Sequence, residues 1–406
     1  MARIGRRSFG ALALAGAASG LSAPRIARGQ GATIKFGFTA ALTGPFNEFG
    51  EGIRRGAEIA VEEVNKAGGI NGRRVELAEV LDDQLVPDRA VQNMRRILDN
   101  REIVGLMAPS GSGPTLAIVD MVQADGRPII NPQAQTPSIV YPNGADKPPR
   151  PNVFSISIDN TVEAAKLATA LAGYRTVGIL HESTGYGVTG AQLVRAELQA
   201  KRRDARLTVE SYNQRAQDMT AQLVRVQRAG AEALLVIGLG ADTAVIRRNM
   251  SRLNINIPLY GTAGAVTVPY IEGAGDLVVG TRAVNHAAFG RRPMHPAAQK
   301  FADLYRAKHG TDRWYGPDPA NPFVSLAGTV ASGYDCLNLL IDAVRRAGST
   351  APADIVKALN ETRDFAGATI ASITFTPQQH VALKVEDLGT YEMLKEGDRV
   401  VLKLRD

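Results

Sequence analysis

A single cysteine, Cys336, stands in 406 residues, so no intrachain disulfide can form. It lies in "ASGYDCLNLLIDAVRRAG" beside Leu339, Leu340 and Ala343 on one helical face, which reads as a small buried hydrophobe and not a nucleophile. The histidines, His181, His286, His295, His309 and His380, form no His-X-X-X-His pair and adjoin no cysteine, so zinc spacing is missing and no metal or cofactor is expected. There is no Gly-X-Ser-X-Gly elbow. "SGSGPT" (Ser110 to Thr115) lacks the Lys-Ser/Thr of a phosphate loop. His181 has Ser183 nearby in sequence, but nothing orients the two together, and a structural histidine at a strand end is the plainer reading. No stretch reaches the roughly 20 apolar residues needed to span a bilayer. No short repeat, low-complexity tract, or Lys/Arg block interleaved with aromatics appears.

The formal charge of +7 is therefore not a nucleic-acid signal. Arg3, Arg6, Arg7, Arg25 and Arg28 fall among the first 28 residues with no acid; removing those five leaves +2 of the +7. Runs such as "KRRDAR" fall at expected helix ends, where cations suit the dipole. The early arginines belong to "GRRSFGALALAGAASGLSAPRIARG", an Arg-Arg pair before a short apolar run, the pattern of a twin-arginine secretory signal. Ala27 and Gly29 place cleavage before Gln30, and a periplasmic, monomeric mature protein is expected.

The remainder alternates β-like runs with amphipathic helices, the mark of parallel sheets covered by helices. The pattern predicts strands at "TIKFGFTAAL", "RRVELAEVLDD", "IVGLMAP" and "RPIINP", with a Pro-rich loop from Pro142 to Pro151 after them. It restarts with "NVFSISI", a helix over 159–172, "RTVGILH", "RLTVESY" and "AEALLVIG", with helices from Gly187, Asp218 and Thr243, then "IPLYG" and "LVVGTRAV". Three longer helices follow His286, and "SITFTP", "VALKVEDLGTYEML" and "RVVLKL" read as strands. The later blocks have no sheet of their own and complete the two earlier units. The predicted fold is α/β: two Rossmann-like lobes with parallel-sheet cores joined by three crossover strands. One lobe takes 30–153 and 284–385, the other 154–283 and 386–406, after a signal over 1–29.

Small polar loops follow several strands, at the edge where open α/β sheets bind ligands. They are "TGPFNEFG", "PSGSGPT", "PQAQTP", "HESTGYG" and "GLGADT". Free N–H groups at helix starts suit a carboxylate. Ser110, Ser112 and Thr115 are either helix caps or, interleaved with glycines, contacts for a ligand. Phe49 belongs to the core or to a cleft wall, and Tyr186, flanked by glycines, is placed to cover a ligand. "VIGLGADTAVIRR" begins like a dinucleotide site, but Asp242 stands where a pyrophosphate would lie. That acid either caps the following helix or meets a cation.

In order and spacing, Thr43-Gly44-Pro45, Gly68-Gly69-Ile70-X-Gly72 and Asp82-Asp83 resemble the leucine/isoleucine/valine-binding, type I periplasmic solute-binding proteins of ABC importers. So do "MAPSGSGPTLAIV", "IINPQAQTPSIV" and "ILHESTGYGVTGAQL", and the resemblance runs from about Thr33 to the end. It implies a two-lobed clamp without catalysis that delivers its ligand to membrane permease subunits. It further implies a ligand carboxylate held by Ser112 (or Ser110), Gln133 and Gln135, an aromatic wall from Tyr186 and Phe49, and an α-amino group met by Asp242. The implied ligand is a branched-chain-like amino acid or related small amphiphile. Alternatives are an aromatic acid or amide on the same fold, a sensory or regulatory ligand-binding module, and a nucleotide-dependent enzyme resting on Gly238-X-Gly240.

Overall fold

Short apolar runs rich in β-branched residues become two sheets, and the amphipathic segments between them become the covering helices. The structure, a computed structural model, describes residues 32–316 and 324–405. The expected signal at 1–29 lies outside them. In the first sheet β1 (Ile34–Ala40), β2 (Val75–Asp82), β3 (Ile103–Met107), β4 (Ile129–Asn131) and β5 (Val153–Ser155) lie parallel in the order β2-β1-β3-β4-β5. The helices α1 (Asn47–Lys66), α2 (Pro87–Asp99) and α3 (Ser112–Asp125) connect them.

After α4 (Asn160–Leu171), the second sheet forms from β6 (Thr176–Glu182), β7 (Arg206–Tyr212), β8 (Ala233–Ile237), β9 (Leu259–Gly261) and β10 (Arg282–His286). Between these strands run α5 (Gly185–Lys201), α6 (Thr220–Arg228), α7 (Gly240–Arg252) and α8 (Val268–Ala274). Then α9 (Pro296–His309), α10 (Val324–Ala347) and α11 (Pro352–Asn360) return to the first unit. The chain ends with β11 (Leu388–Glu396) and β12 (Arg399–Leu404), giving the order β12-β11-β10-β9-β8-β6-β7. The strands β6 to β10 are parallel, while β11 runs antiparallel to both β10 and β12.

The chain therefore passes between the two sheets three times, and the passing segments are tied together. Ser155 N donates to His380 O (2.8 Å), Ala382 N to Ser155 O (3.0 Å), and Ala287 N to Asp387 O (2.8 Å). His380 anchors this junction: its ring stacks on Phe154 (centroids 4.1 Å apart), with Nδ1 at Val153 O (3.0 Å) and Nε2 at Asn360 Oδ1 (2.8 Å). β5 runs to Ser155, two residues past the expected first-lobe end at 153, and β10 runs to His286, three past the expected second-lobe end at 283.

The strand-rich tail is more broken than its pattern predicts. "SITFTP" contributes an isolated bridge, Phe365 to Ile373, and "VALKVEDLGTYEML" divides into a bridge at Val381, a 3₁₀ turn over Val385–Asp387, and β11. "LVVGTRAV" likewise opens as a 3₁₀ turn, Gly275–Val278, before β10. Alternation marks these residues as half-buried, but the partner strand decides whether a ladder forms.

α10 lies directly on α1, and glycine permits the approach. A Cβ on Gly56 would meet Val330 O at 1.8 Å, and one on Gly333 would meet Ile53 O at 2.2 Å. Cys336 is fully buried within α10, and burial pushes its thiol pKa up. Among the described residues no helix is long and apolar enough to cross a membrane.

Two expectations follow. Gly56→Val forces α1 off α10 and should lower stability by roughly 2–3 kcal/mol, read as a lower denaturant midpoint. On α4, Glu163 is 1% exposed, and its Oε1 accepts from Ala263 N at 2.8 Å. Burial, aided by the charge of Asp159, raises its carboxyl from 4.5 to about 8. The folded chain then holds a proton that the unfolded chain releases above its ordinary value. Stability should therefore fall as pH rises between about 5 and 8, by at most about 5 kcal/mol from this group. Melting followed by calorimetry should show Glu163→Gln flattening that fall.

Candidate functional site

A cavity of about 100 Å³ lies between the lobes, a volume on the scale of a compact organic molecule. Its lining residues all follow the carboxyl ends of parallel strands. In the first lobe Phe49 follows β1, Leu85 and Pro87 follow β2, Ser110 to Pro114 follow β3, and Gln133 and Gln135 follow β4. Across from them Thr184 and Tyr186 follow β6, Gln214 follows β7, Leu239 follows β8 and Gly264 follows β9.

The serine loop is shaped by backbone contacts. Ser110 Oγ accepts from Ala41 N (3.1 Å), which joins the β3 and β1 loops. Ser112 Oγ accepts from Gln135 N (3.1 Å) and Thr136 N (3.2 Å), which fixes the loop after β4 against α3. Neither serine caps the helix: Gly111 is the N-cap and no side chain satisfies the first N–H groups. Gly111 cannot carry a side chain freely, since a Cβ there would meet Leu85 Cδ1 at 2.4 Å. Thr115 turns away, donating to Gly111 O (2.8 Å) and Pro109 O (3.1 Å). Asn131 folds the next loop by accepting from Gln133 N (3.2 Å) and Ala134 N (2.9 Å) while donating to Ala134 O (2.6 Å). Phe49 sits in the first turn of α1, 3% exposed, and is both core and cavity wall.

In the second lobe Glu182, fully buried, accepts from Thr184 N (2.7 Å), Thr184 Oγ1 (2.5 Å) and Gly187 N (2.8 Å), so an internal carboxylate satisfies the start of α5. Tyr186 lines the cavity with its ring, and its hydroxyl donates inward to Thr262 Oγ1 (2.7 Å). Ser183 donates to Asn213 Oδ1 (3.1 Å), and His181 Nδ1 lies 2.9 Å from Glu182 O, so the two make no nucleophile–base pair.

Asp242 departs from its expected place. α7 starts at Gly240 with Leu239 as N-cap, so Asp242 lies inside the first turn and is not a cap. It is 2% exposed and absent from the cavity lining, and its Oδ1 accepts from Arg215 N (3.0 Å). Burial, assisted by the charge of Glu182, raises its carboxyl to about 7. The reason is local. Arg215 takes a left-handed conformation (φ 65°), which turns its N–H onto the carboxylate. Its guanidinium then crosses the cleft, donating from Nη2 to Gln84 O (3.0 Å) with Cζ 5.5 Å from the Phe46 ring centroid. A second crossing contact runs from Thr267 Oγ1 to Glu48 Oε1 (3.3 Å), and burial raises Glu48 to about 7.

Among the described residues the cavity wall holds no ionisable carboxylate, ammonium, guanidinium or imidazole side chain. Its field comes instead from helix starts. α1, α2 and α7 each carry an acid in the first turn, Glu48, Asp88 and Asp242, and α5 has Glu182. α3 has none, so its positive end faces the cavity uncompensated by a neighbouring acid.

Gly111, Gly113, Pro114, Thr184 and Leu239 lie in loops the sequence marks without singling them out, and Leu85, Pro87, Gln214 and Gly264 lie outside those loops. Gly264 was findable, since it stands in a glycine-bearing loop directly after a strand. Gln214 carries no such mark.

The sequence pattern of the family described as "Periplasmic binding protein" matches residues 33–388. A "Leucine-, isoleucine-, valine-, threonine-, and alanine-binding protein" of Pseudomonas aeruginosa is 26% identical, covering 98% of each chain. "Leu/Ile/Val-binding protein homolog 3" of Brucella melitensis is also 26% identical, over 85% of this chain and 88% of the relative. A solved "Periplasmic binding Protein Type 1" from Bordetella pertussis Tohama I superposes with a TM-score of 0.89 at 50% identity, covering 92% of this chain and 100% of that one. The branched-chain amino acid transporter substrate-binding protein LivJ of Streptococcus pneumoniae, solved with isoleucine, shares the fold at a TM-score of 0.75 and 20% identity, over 92% and 99%. With two α/β lobes, a cavity at the carboxyl ends of both sheets and this match across most of its length, the chain belongs to the type I periplasmic binding proteins of the leucine/isoleucine/valine-binding family.

Proposed function

We propose that this chain is the extracytoplasmic solute receptor of an ABC importer. It takes a small amphiphile between two closing lobes and delivers it to membrane permease subunits. Export depends on the twin-arginine-type signal over 1–29, cleaved before Gln30. The observation that carries the reading is the lining: both sheets send strand-end loops to one cavity, so a ligand there touches both lobes at once. Such a ligand favours the closed state by its differential affinity, and closure is the form a permease would read.

The relatives' names point to an aliphatic amino acid. In that reading the ligand carboxylate lies at the start of α3, near Ser110, Ser112, Gln133 and Gln135, and Phe49 and Tyr186 flank its side chain. A second reading has a specific support. Asp242 is turned to Arg215 N and is not part of the cavity wall, so among the described residues no acid of the wall faces an ammonium. An acid or amide lacking an amino group then fits better.

Titration calorimetry with aliphatic and aromatic acids, their amides and the amino acids should find a binder, and small-angle scattering should show the chain contracting with it. Ligands that bind without contraction would contradict a closing clamp. Asp242→Asn separates the two readings. If the acid meets an ammonium, affinity for an amino acid falls by about 2 kcal/mol or more. If it only holds the Arg215 loop, affinity changes by less than about 1 kcal/mol while thermal stability drops.

A further inference from the structure

The polar groups of the cavity narrow the ligand class beyond the receptor reading on which this inference rests. The first group is the start of α3, a 14-residue helix whose Gly111, Ser112 and Gly113 line the cavity and whose first turn carries no acid. The oxygen of Ser112 already accepts two backbone N–H groups, so toward a ligand it is chiefly an O–H donor. Ser110, whose oxygen accepts from Ala41 N, is placed likewise. Donors and a positive helix end together call for an acceptor bearing negative charge.

Gln135 makes the opposite demand. It lines the same cavity, is 4% exposed, and both of its backbone polar groups are used: N donates to Ser112 Oγ and O accepts from Asn160 N at 2.9 Å. Its side-chain Oε1 is buried and finds no hydrogen-bond partner among the described residues. A buried carbonyl oxygen left unpaired is costly, and a donor brought to it by a ligand would relieve that cost.

That donor could be an ammonium or a neutral group, and the surroundings discriminate. An ammonium here would sit among helix N-termini with no carboxylate in the wall among the described residues. The neighbouring acids lie outside that wall: Glu182 is spent at α5, while Glu48 and Asp242 each give one oxygen to Thr267 and Arg215 N and keep the other buried without a partner among the described residues. A buried cation with neither partner nor favourable field is disfavoured, whereas a hydroxyl satisfies the same oxygen without charge. We propose that the ligand is a monocarboxylate carrying a neutral O–H or N–H donor close to its carboxylate, a hydroxy acid in the simplest case, and that Gln135 is the residue that selects for that donor.

Three probes with one carbon frame test this on the full chain: 4-methylpentanoate, 2-hydroxy-4-methylpentanoate and leucine, compared by calorimetry at one pH and ionic strength. The hydroxy acid should bind tightest, about tenfold over the plain acid and at least as far over leucine. Gln135→Met keeps the side-chain length and removes the amide. It should reduce the advantage of the hydroxy acid over the plain acid to less than about twofold. Leucine binding tightest would overturn the proposal and leave the receptor reading standing. Gln135→Met weakening both acids equally would overturn the selecting role of Gln135. The ligand ranking of the unaltered chain remains a test even if the variant fails to fold. Binding of none of the three would overturn this proposal, and the receptor reading would then stand or fall on the wider panel of acids, amides and amino acids.

Discussion

The arrangement rests on the direction of the strands. In a parallel sheet every strand ends at the same edge, and each following helix begins there. Eight strands of this chain, β1 to β4 and β6 to β9, send their carboxyl-end loops toward one cavity. The same geometry brings helix N-termini together, so the site acquires a positive field without any lysine or arginine in its wall among the described residues.

Concentrating positive helix ends in a nearly dry space requires compensation, and buried acids supply most of it. Glu182 closes the start of α5 with three hydrogen bonds, Glu48 lies in the first turn of α1, and Asp242 lies in that of α7. Glu48 and Asp242 are both pushed up to about 7 by burial. Leaving α3 without an acid gives the cavity one distinct polar end. Leu85, Pro114, Leu239 and the rings of Phe49 and Tyr186 give it an apolar remainder. The lobes then meet through Arg215 on Gln84 O, Thr267 on Glu48 and the Arg313–Glu272 ion pair.

Much of this was legible in the sequence because period and punctuation carry it. The alternation of β-branched runs with 3.6-period helices fixes two α/β lobes, and polar or glycine-rich loops just after strands locate the cleft. Phe49, Ser110, Ser112, Gln133, Gln135 and Tyr186 all reach the cavity wall. Asp242 did not follow, because its direction depends on the left-handed turn at Arg215, 27 positions away, and no local pattern marks that residue. The tail was misread for a related reason. The stretch from Phe365 to Val381 has strand-like alternation, but it pairs only in isolated bridges, Phe365 to Ile373, Thr376 to Gln379 and Val381 to Ser155, and no ladder forms. Ser110 and Ser112 were open between capping and binding, and only the position of the Ala41, Gln135 and Thr136 backbone N–H groups shows that neither caps.

The most direct test is a crystal structure of the chain with the solute that copurifies with it. The account predicts a carboxylate at the first turn of α3, within about 3 Å of the Ser112 hydroxyl or the neighbouring backbone N–H, and contacts from the same molecule to Tyr186 or Thr184 on the other lobe. A solute held by one lobe alone, or one whose carboxylate points away from α3, would contradict it.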